Sequence, residues 1–320
     1  MRVMHGGERQ PLGESAPHLL RLEMDEPPHA LKEVPDEDPV HRALRAIEDI
    51  SVKTRVLRPE QRNGFVDVLG TNAERIVRHS SERERAVQNI AQFFNSIEDP
   101  DRLSARRRAI EKQRPMLESH QRLADWEMFL ADHLYSNPHR FQGARGRERL
   151  GALDKVLTSS QLTIAGRPFD LSGIKGLAGA VSIIGSKKYV PFFPDPLLDV
   201  LLKIDAFGYR EDTDQHILAQ VKARRGLNPS MPIIDTPQAF FERRDVRNNF
   251  KDEHLSHLAD DALVLDITAE ALSQNYRGRF TPLLIVMPSF NPNESDPNFD
   301  TETGLPKRET YDTIKWPKGL

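Results

Sequence analysis

The chain contains no cysteine. Disulfide bonds, thiol nucleophiles and metal centres built on cysteine ligands are therefore excluded. The absence does not indicate a compartment, because cytosolic proteins and exported effectors can equally lack cysteine. The sequence also has no GxxxxGK(S/T), HExxH or GxSxG pattern. It therefore gives no indication of a P-loop, a zinc-protease helix or the nucleophile elbow of an α/β-hydrolase.

Long hydrophobic runs are also missing. The chain has 38% hydrophobic and 29% charged residues, and no run approaches the about 18 consecutive apolar residues that a membrane-spanning helix needs. The N-terminal stretch MRVMHGGERQPLGESAP lacks the apolar centre of a secretory signal peptide. We therefore expect a cytoplasmic protein without a membrane partner, and export as an effector is the alternative.

The net charge of −3 conceals an uneven distribution of charged residues. Residues 1–50 carry 11 acidic and 6 basic side chains, whereas residues 51–160 carry 20 basic and 15 acidic ones. A basic segment of this kind can bind a polyanion such as nucleic acid. Helices rich in arginine and glutamate are more often simply solvated, so the charge pattern alone leaves both interpretations open.

Proline and charge patterns divide the chain into four segments. Residues 1–38 are acidic and proline-rich with little aliphatic periodicity, which predicts a disordered leader. Residues 39–159 follow a helical period and are predicted to form a helical domain. Residues 160–290 are predicted to form an α/β domain, and residues 291–320, rich in proline, asparagine and aspartate, an extended tail.

Short apolar runs broken by glycine and proline indicate β-strands after residue 160. The predicted strands are QLTIAG, GAVSIIG, DVLLKIDAFGYR, HILAQVKAR, DALVLDIT and TPLLIVMP. Between the fourth and fifth of these, FERRDVRNNFKDEHLSHLA is predicted to be a helix. The expected fold class is therefore mixed α/β, with a helical N-terminal region followed by an α/β core that has a central mixed sheet.

The third and fourth predicted strands are joined by EDTD, four turn-favouring residues. If the hairpin turns about Asp212 and Thr213, Asp205 lies opposite Gln220 on the neighbouring strand. Because side chains alternate between the faces of a strand, Asp205, Gln220 and Lys222 then share one face. The other face carries apolar residues, namely Leu202, Ile204, Ala206, Ile217, Ala219 and Val221.

An acid, an amide and a lysine on one surface can act together on a phosphate ester. Carboxylate and amide oxygens are hard ligands that suit Mg²⁺ or Mn²⁺, so Asp205 and Gln220 are the candidate metal ligands. Lys222 can orient a water molecule or neutralise the charge that develops on the phosphate. We expect replacement of these three side chains to leave folding nearly intact, because they point away from the apolar face.

The pattern hydrophobic-Asp-x(14)-Gln-x-Lys, formed by Asp205, Gln220 and Lys222, resembles the PD-(D/E)xK nuclease superfamily and its D…QxK variant in Mrr-type endonucleases. The resemblance covers roughly residues 145–290. It implies a restriction-endonuclease-like core with β-β-β-α-β order and metal-dependent hydrolysis of DNA in restriction, recombination or an effector context. It also implies a catalytic role for Lys222, metal binding by Asp205 and Gln220, and Glu148 as a further acid from a preceding helix.

Four basic residues at predicted strand ends are candidate contacts to DNA phosphates: Lys187, Lys188, Arg224 and Arg225. The alternative is that they only protect strand ends from association. DNA is accordingly the expected partner, and the helical N-terminal region is a candidate surface for a protein partner. Asp199 and Asp266 are further acids that could line the site, and capping of the adjoining elements is the alternative for both.

Two other interpretations of the hairpin remain open. Its polar residues can be ordinary strand residues, in which case the protein is a non-enzymatic adaptor or delivered effector with a degenerate nuclease-like fold. Lys203, Asp205 and Arg210 are also similar to the KxDGxR signature of nucleotidyltransferases and ligases, although Ala206 stands where that signature has glycine.

Overall fold

The computed structural model describes ten parts of the chain: residues 83–88, 90–91, 114–160, 163–164, 167–194, 198–199, 202–223, 229–276, 278–290 and 295–320. The predicted leader, residues 1–38, and residues 39–82 and 92–113 of the predicted helical domain lie outside the described residues. So do Arg224 and Arg225.

The described residues form helices and short strands. The helices are α1 (Arg114–Ser136), α2 (Gly143–Ser160), α3 (Leu171–Ser186), α4 (Pro237–Glu242), α5 (Arg244–Asn249) and α6 (Asp252–Asn275). The strands are β1 (Thr163–Ile164), β2 (Arg167–Pro168), β3 (Val190–Phe192), β4 (Ala206–Arg210), β5 (Gln215–Lys222), β6 (Ile233–Asp235) and β7 (Arg279–Val286). Three 3₁₀ turns cover Pro138–Phe141, Glu211–Thr213 and Arg308–Thr310.

Five strands form one mixed sheet in the order β3-β4-β5-β7-β6. The β4 strand runs antiparallel to both β3 and β5, β7 runs parallel to β5, and β6 closes the other edge antiparallel to β7. The helices and this sheet make the protein mixed α/β, which confirms the predicted fold class.

The hairpin of β4 and β5 has the predicted register. Ala206 pairs with Ala219 and Gly208 with Ile217, which is the register that a turn about Asp212 and Thr213 requires. Asp214 closes the turn in a left-handed conformation at φ 48°, which aspartate tolerates better than most residues. The hairpin prediction is therefore confirmed.

The two faces of the sheet are covered by different helices. The α3 helix packs on β3, β4 and β5, and Ala223 at the end of β5 lies against Gly176 of α3. The α6 helix packs on β5 and β7 from the other side. Because β5 lies between both layers, seven of its eight residues are buried.

The prediction that the segment GAVSIIG forms a strand is wrong, because this segment lies within α3. Asp170 caps this helix by accepting a hydrogen bond from the backbone N–H of Gly173 at 2.8 Å. Glycine also has a packing role here. A Cβ atom at Gly176 would lie 2.3 Å from the Cβ of Ala223, and one at Gly179 would lie 2.5 Å from the carbonyl oxygen of Gly304.

The predicted strand DALVLDIT is likewise wrong, because it forms the middle of α6. Its β-branched residues favour a strand locally. The buried residues nevertheless recur at helical spacing across the whole element, at Leu258, Ala262, Leu265, Ala269 and Leu272. No glycine or proline interrupts residues 252–275, so the helix continues where the local pattern indicated a strand.

Residues before and after the sheet pack onto its helices. Arg83, in the helical residues 83–88, binds Asp266 at 2.8 Å and Glu270 at 2.7 Å on α6. The α1 helix packs on α3. The C-terminal residues 295–320 have little regular structure, yet the backbone carbonyl of Thr301 accepts a hydrogen bond from the buried Nζ of Lys175 on α3 at 2.5 Å. Within the described helices, none is long and apolar enough to cross a membrane.

An aromatic stack crosses the sheet on the face covered by α6. The imidazole of His216 stacks on Tyr209 and on Phe280, with ring centroids 4.8 Å and 4.5 Å apart. Burial lowers the pKa of His216, and the Asp214 carboxylate 3.5 Å from its Nε2 opposes this only in part. The folded protein therefore favours the neutral imidazole.

This arrangement predicts a loss of stability in mild acid. The unfolded chain binds the proton first, at a pKa of about 6.5, so the free energy of unfolding should fall as the pH drops below that value. His216→Phe keeps the aromatic stack and removes the titrating group, so the free energy of unfolding of this variant should decrease less in acid than that of wild type. Urea unfolding at about pH 7.5 and about pH 5.5 gives the two free energies for each protein. The matched control is His257→Phe, at an exposed histidine of α6, which should keep the wild-type profile; an unchanged profile in His216→Phe would contradict the assignment.

Candidate active site

Asp205 and Gln220 form a hydrogen-bonded pair in the interior. Asp205 immediately precedes β4, and its backbone N–H donates to the carbonyl of Ala219 at 2.8 Å. Its Oδ2 accepts hydrogen bonds from Gln220 Nε2 at 2.5 Å and from the backbone N–H of Val221 at 2.7 Å. Both side chains are only 2% exposed. The predicted proximity of Asp205 and Gln220 on neighbouring strands is therefore confirmed.

Lys222 lies two residues beyond Gln220 on the same face of β5, about 7 Å further along the strand. Its Nζ is 2.7 Å from Oδ2 of Asp261 on α6, and the residue is 6% exposed. The Nζ of Lys203 lies 3.8 Å from Oδ1 of the same aspartate. The hairpin, the loop before β4 and the helix α6 thus contribute to one group of charged side chains.

Asp261 was not predicted to belong to this group. Residues 261–268 were predicted to form a strand, and that prediction separated Asp261 from the hairpin. A continuous helix over 252–275 would have indicated that Asp261, next to the buried Ala262, lies at the edge of the face that packs on the sheet.

The group contains side chains of both signs, because the acid Asp261 lies against the bases Lys203 and Lys222. Such compensation is expected, since an isolated buried charge costs several kcal/mol. The amide oxygen of Gln220, Oε1, is buried and accepts no hydrogen bond from the described residues. A buried acceptor of this kind is uncommon and is available to a ligand.

The oxygen atoms at the pair suit a hard divalent cation. A carboxylate and an amide oxygen are both ligands of the kind that Mg²⁺ prefers, and Gln220 Oε1 accepts no hydrogen bond from the described residues. Within the described part of the chain, no group of three or more histidine, aspartate or glutamate side chains is placed to hold a metal ion. Water or a substrate phosphate would therefore have to supply the remaining ligands.

The structure does not bring Glu148 to this group. It lies at an exposed position of α2. Among the described residues, no hydrogen bond or ion pair joins it to Asp205, Gln220 or Lys222. A catalytic role for Glu148 stays a prediction.

Lys187 and Lys188 lie at the opposite end of the sheet. They form the turn after α3, just before β3, whose Val190 pairs with Tyr209 near the hairpin turn. About 17 Å of strand separates that end from Gln220. Contacts from these two lysines to DNA remain a prediction, as do those from Arg224 and Arg225.

The two further acids lie in different parts of the fold. Asp266 points away from the hairpin group and binds Arg83. Asp199 lies in a short helical turn before β4, where its backbone carbonyl accepts a hydrogen bond from the N–H of Lys203 at 3.1 Å.

No protein-family model, curated protein or solved structure matches this chain. A function is therefore inferred only from the geometry of the residues themselves.

The burial of the pair changes one expectation. Replacements at Asp205, Gln220 and Lys222 were expected to leave folding nearly intact, because these side chains point away from the apolar face of the hairpin. The α6 helix covers the face on which they lie, and all three residues are buried.

Asp205→Ala should consequently destabilise the fold by about 2–4 kcal/mol, because the N–H of Val221 and the amide of Gln220 lose a charged acceptor in the interior. Asp212→Ala is the matched control, since Asp212 is an exposed member of a surface ion pair with Arg210 and its replacement should cost little stability. Chemical denaturation of both variants gives the two free energies of unfolding. Equal small losses would contradict the proposed importance of the buried pair.

Proposed function

We propose that the protein is a Mg²⁺- or Mn²⁺-dependent endonuclease that hydrolyses phosphodiester bonds of DNA. The observation that carries this proposal is the buried contact of Asp205 with Gln220, with Lys222 two residues along the same strand face. These residues are the ones through which the sequence resembles the D…QxK variant of the PD-(D/E)xK superfamily.

The order of elements supports the same proposal. The resemblance implies a core of three strands, a helical connection and a fourth strand. In this chain, β3, β4 and β5 are followed by the short edge strand β6, the helices α4 to α6, and then β7 beside β5. Asp205 lies at the start of β4, and Gln220 and Lys222 lie on β5. These are adjacent strands, as the resemblance would require.

In this proposal a divalent cation bound at Asp205 and Gln220 would supply Lewis acidity at the scissile phosphate. Asp205 is oriented for binding because the N–H of Val221 and the amide of Gln220 hold its Oδ2. The amide oxygen of Gln220 is the second oxygen atom that could bind the cation.

Lys222 would act on the substrate and not on the cation. Its ammonium group would neutralise charge that develops on the non-bridging phosphate oxygens as a water oxygen attacks phosphorus. The bond from phosphorus to one bridging oxygen then breaks, and that oxygen takes up a proton. Lysine suits this task because its three N–H donors form a compact positive charge.

A second candidate function is a non-enzymatic adaptor or delivered effector with a degenerate nuclease-like fold. One observation favours it: Asp205 and Gln220 are 2% exposed, and Lys222 is already engaged by Asp261. A site closed in this way would need rearrangement before a duplex could reach it.

Cleavage of supercoiled DNA separates the two candidates. We expect nicking in Mg²⁺ and none in EDTA, with losses of about 100-fold or more in Asp205→Asn and Lys222→Gln, because each removes one charge from the site at little change of shape. Matched controls are Asp212→Asn and Lys155→Gln, which change exposed side chains outside the candidate site and should retain activity. Melting curves verify that every variant is folded.

The enzymatic proposal fails if folded wild-type protein shows no metal-dependent cleavage of duplex, single-stranded or branched DNA. It also fails if cleavage persists unchanged in both Asp205→Asn and Lys222→Gln.

A further inference from the structure

Two lysines converge on one carboxylate at the margin of the candidate site. The Nζ of Lys222 is 2.7 Å from Oδ2 of Asp261, and the Nζ of Lys203 is 3.8 Å from Oδ1. The three residues come from β5, from the loop before β4 and from α6. Because they are far apart in sequence, the tertiary fold assembles this cluster.

The cluster is more exposed than the buried pair. The side chains of Lys203 and Asp261 are each 20% exposed, whereas that of Lys222 is 7% exposed. Asp261 and Lys203 are therefore more accessible to an anion from solvent than Lys222.

Lys203 is held in an unusual backbone conformation. Its φ is +59°, in the left-handed region that lysine seldom adopts. Such conformations persist where the surrounding structure maintains them, and they are frequent at ligand-binding sites. The N–H of Lys203 donates to the carbonyl of Asp199, which fixes the loop at this point.

The contacts of Asp261 are the ones that a phosphate would make. Carboxylates and phosphates are both anions whose oxygens accept charge-assisted hydrogen bonds from ammonium groups. A phosphate and the Asp261 carboxylate could not share the two lysines without repulsion between like charges. Movement of the side chain alone would be sufficient, since α6 is held in place by the buried Leu258, Ala262 and Leu265.

We propose that Asp261 is an internal competitor of the substrate phosphate: it occupies Lys203 and Lys222 in the free protein, and a DNA phosphate must displace it to enter the site. This inference rests on the proposed function, because it takes the anion that displaces Asp261 to be a phosphodiester group of DNA. It adds Lys203 as a phosphate contact and Asp261 as the group that limits affinity.

Binding of a fluorescein-labelled DNA duplex in EDTA tests the inference without requiring cleavage. Asp261→Asn should bind about five- to tenfold more tightly than wild type in fluorescence anisotropy, because the competing charge is gone. The matched control is Asp260→Asn, which removes the same charge from the neighbouring exposed position of α6 and should stay within about twofold. Lys203→Gln should weaken binding about fivefold or more, whereas Lys155→Gln, on α2, should not.

The outcomes separate this inference from the proposed function. If wild type cleaves DNA and Asp261→Asn binds no more tightly than Asp260→Asn, the competitor role is overturned while the nuclease proposal stands. If Asp261→Asn binds more tightly but no metal-dependent cleavage occurs, the cluster binds phosphate and the catalytic proposal fails. Should Asp261→Asn not fold, Lys203→Gln decides: affinity equal to that of Lys155→Gln overturns the inference, and weaker binding supports it.

Discussion

The hydrogen bonds of Asp205 organise the centre of this protein. One carboxylate oxygen, Oδ2, accepts from the Gln220 side chain and from the N–H of Val221, and thereby ties the start of β4 to the C-terminal end of β5. The β5 strand lies between α3 and α6, and Asp205 is buried, so the carboxylate cannot be solvated by water and depends on these donors. Hydrogen bonds to a charged group in such a setting contribute about 1.5–3 kcal/mol each.

The same interior explains why the charged group extends to α6. Lys222 is buried on the face that α6 covers, and a buried ammonium needs a compensating anion. Asp261 provides that anion and brings Lys203 into the group. A set of opposite charges within the protein can support the fold and can also be opened by an incoming anion. The structural and functional interpretations of these residues are therefore not exclusive.

The features that the sequence predicted are local ones. The register of β4 and β5 follows from turn residues about Asp212 and Thr213 and from the alternation of side chains, both of which act over a few residues. That register was sufficient to bring Asp205 opposite Gln220. The wrong assignments concern segments whose local preference is overridden by packing. In α3, small residues such as Gly176 allow a helix to lie close on the sheet, and in α6 the β-branched residues follow a longer helical pattern. Asp261 could not be placed beside Lys222 without that helix and its position over β5.

Thermal unfolding of Gln220→Glu with and without Mg²⁺ tests the central claim, that Asp205 and Gln220 form a site for a divalent cation, most directly. In EDTA the variant places two carboxylates side by side in the interior, so it should melt below wild type. A cation held by both carboxylates should restore stability, so Mg²⁺ should raise the melting temperature of Gln220→Glu more than that of wild type or of Gln238→Glu, an exposed control on α4. Equal responses to Mg²⁺ in all three proteins would contradict the account.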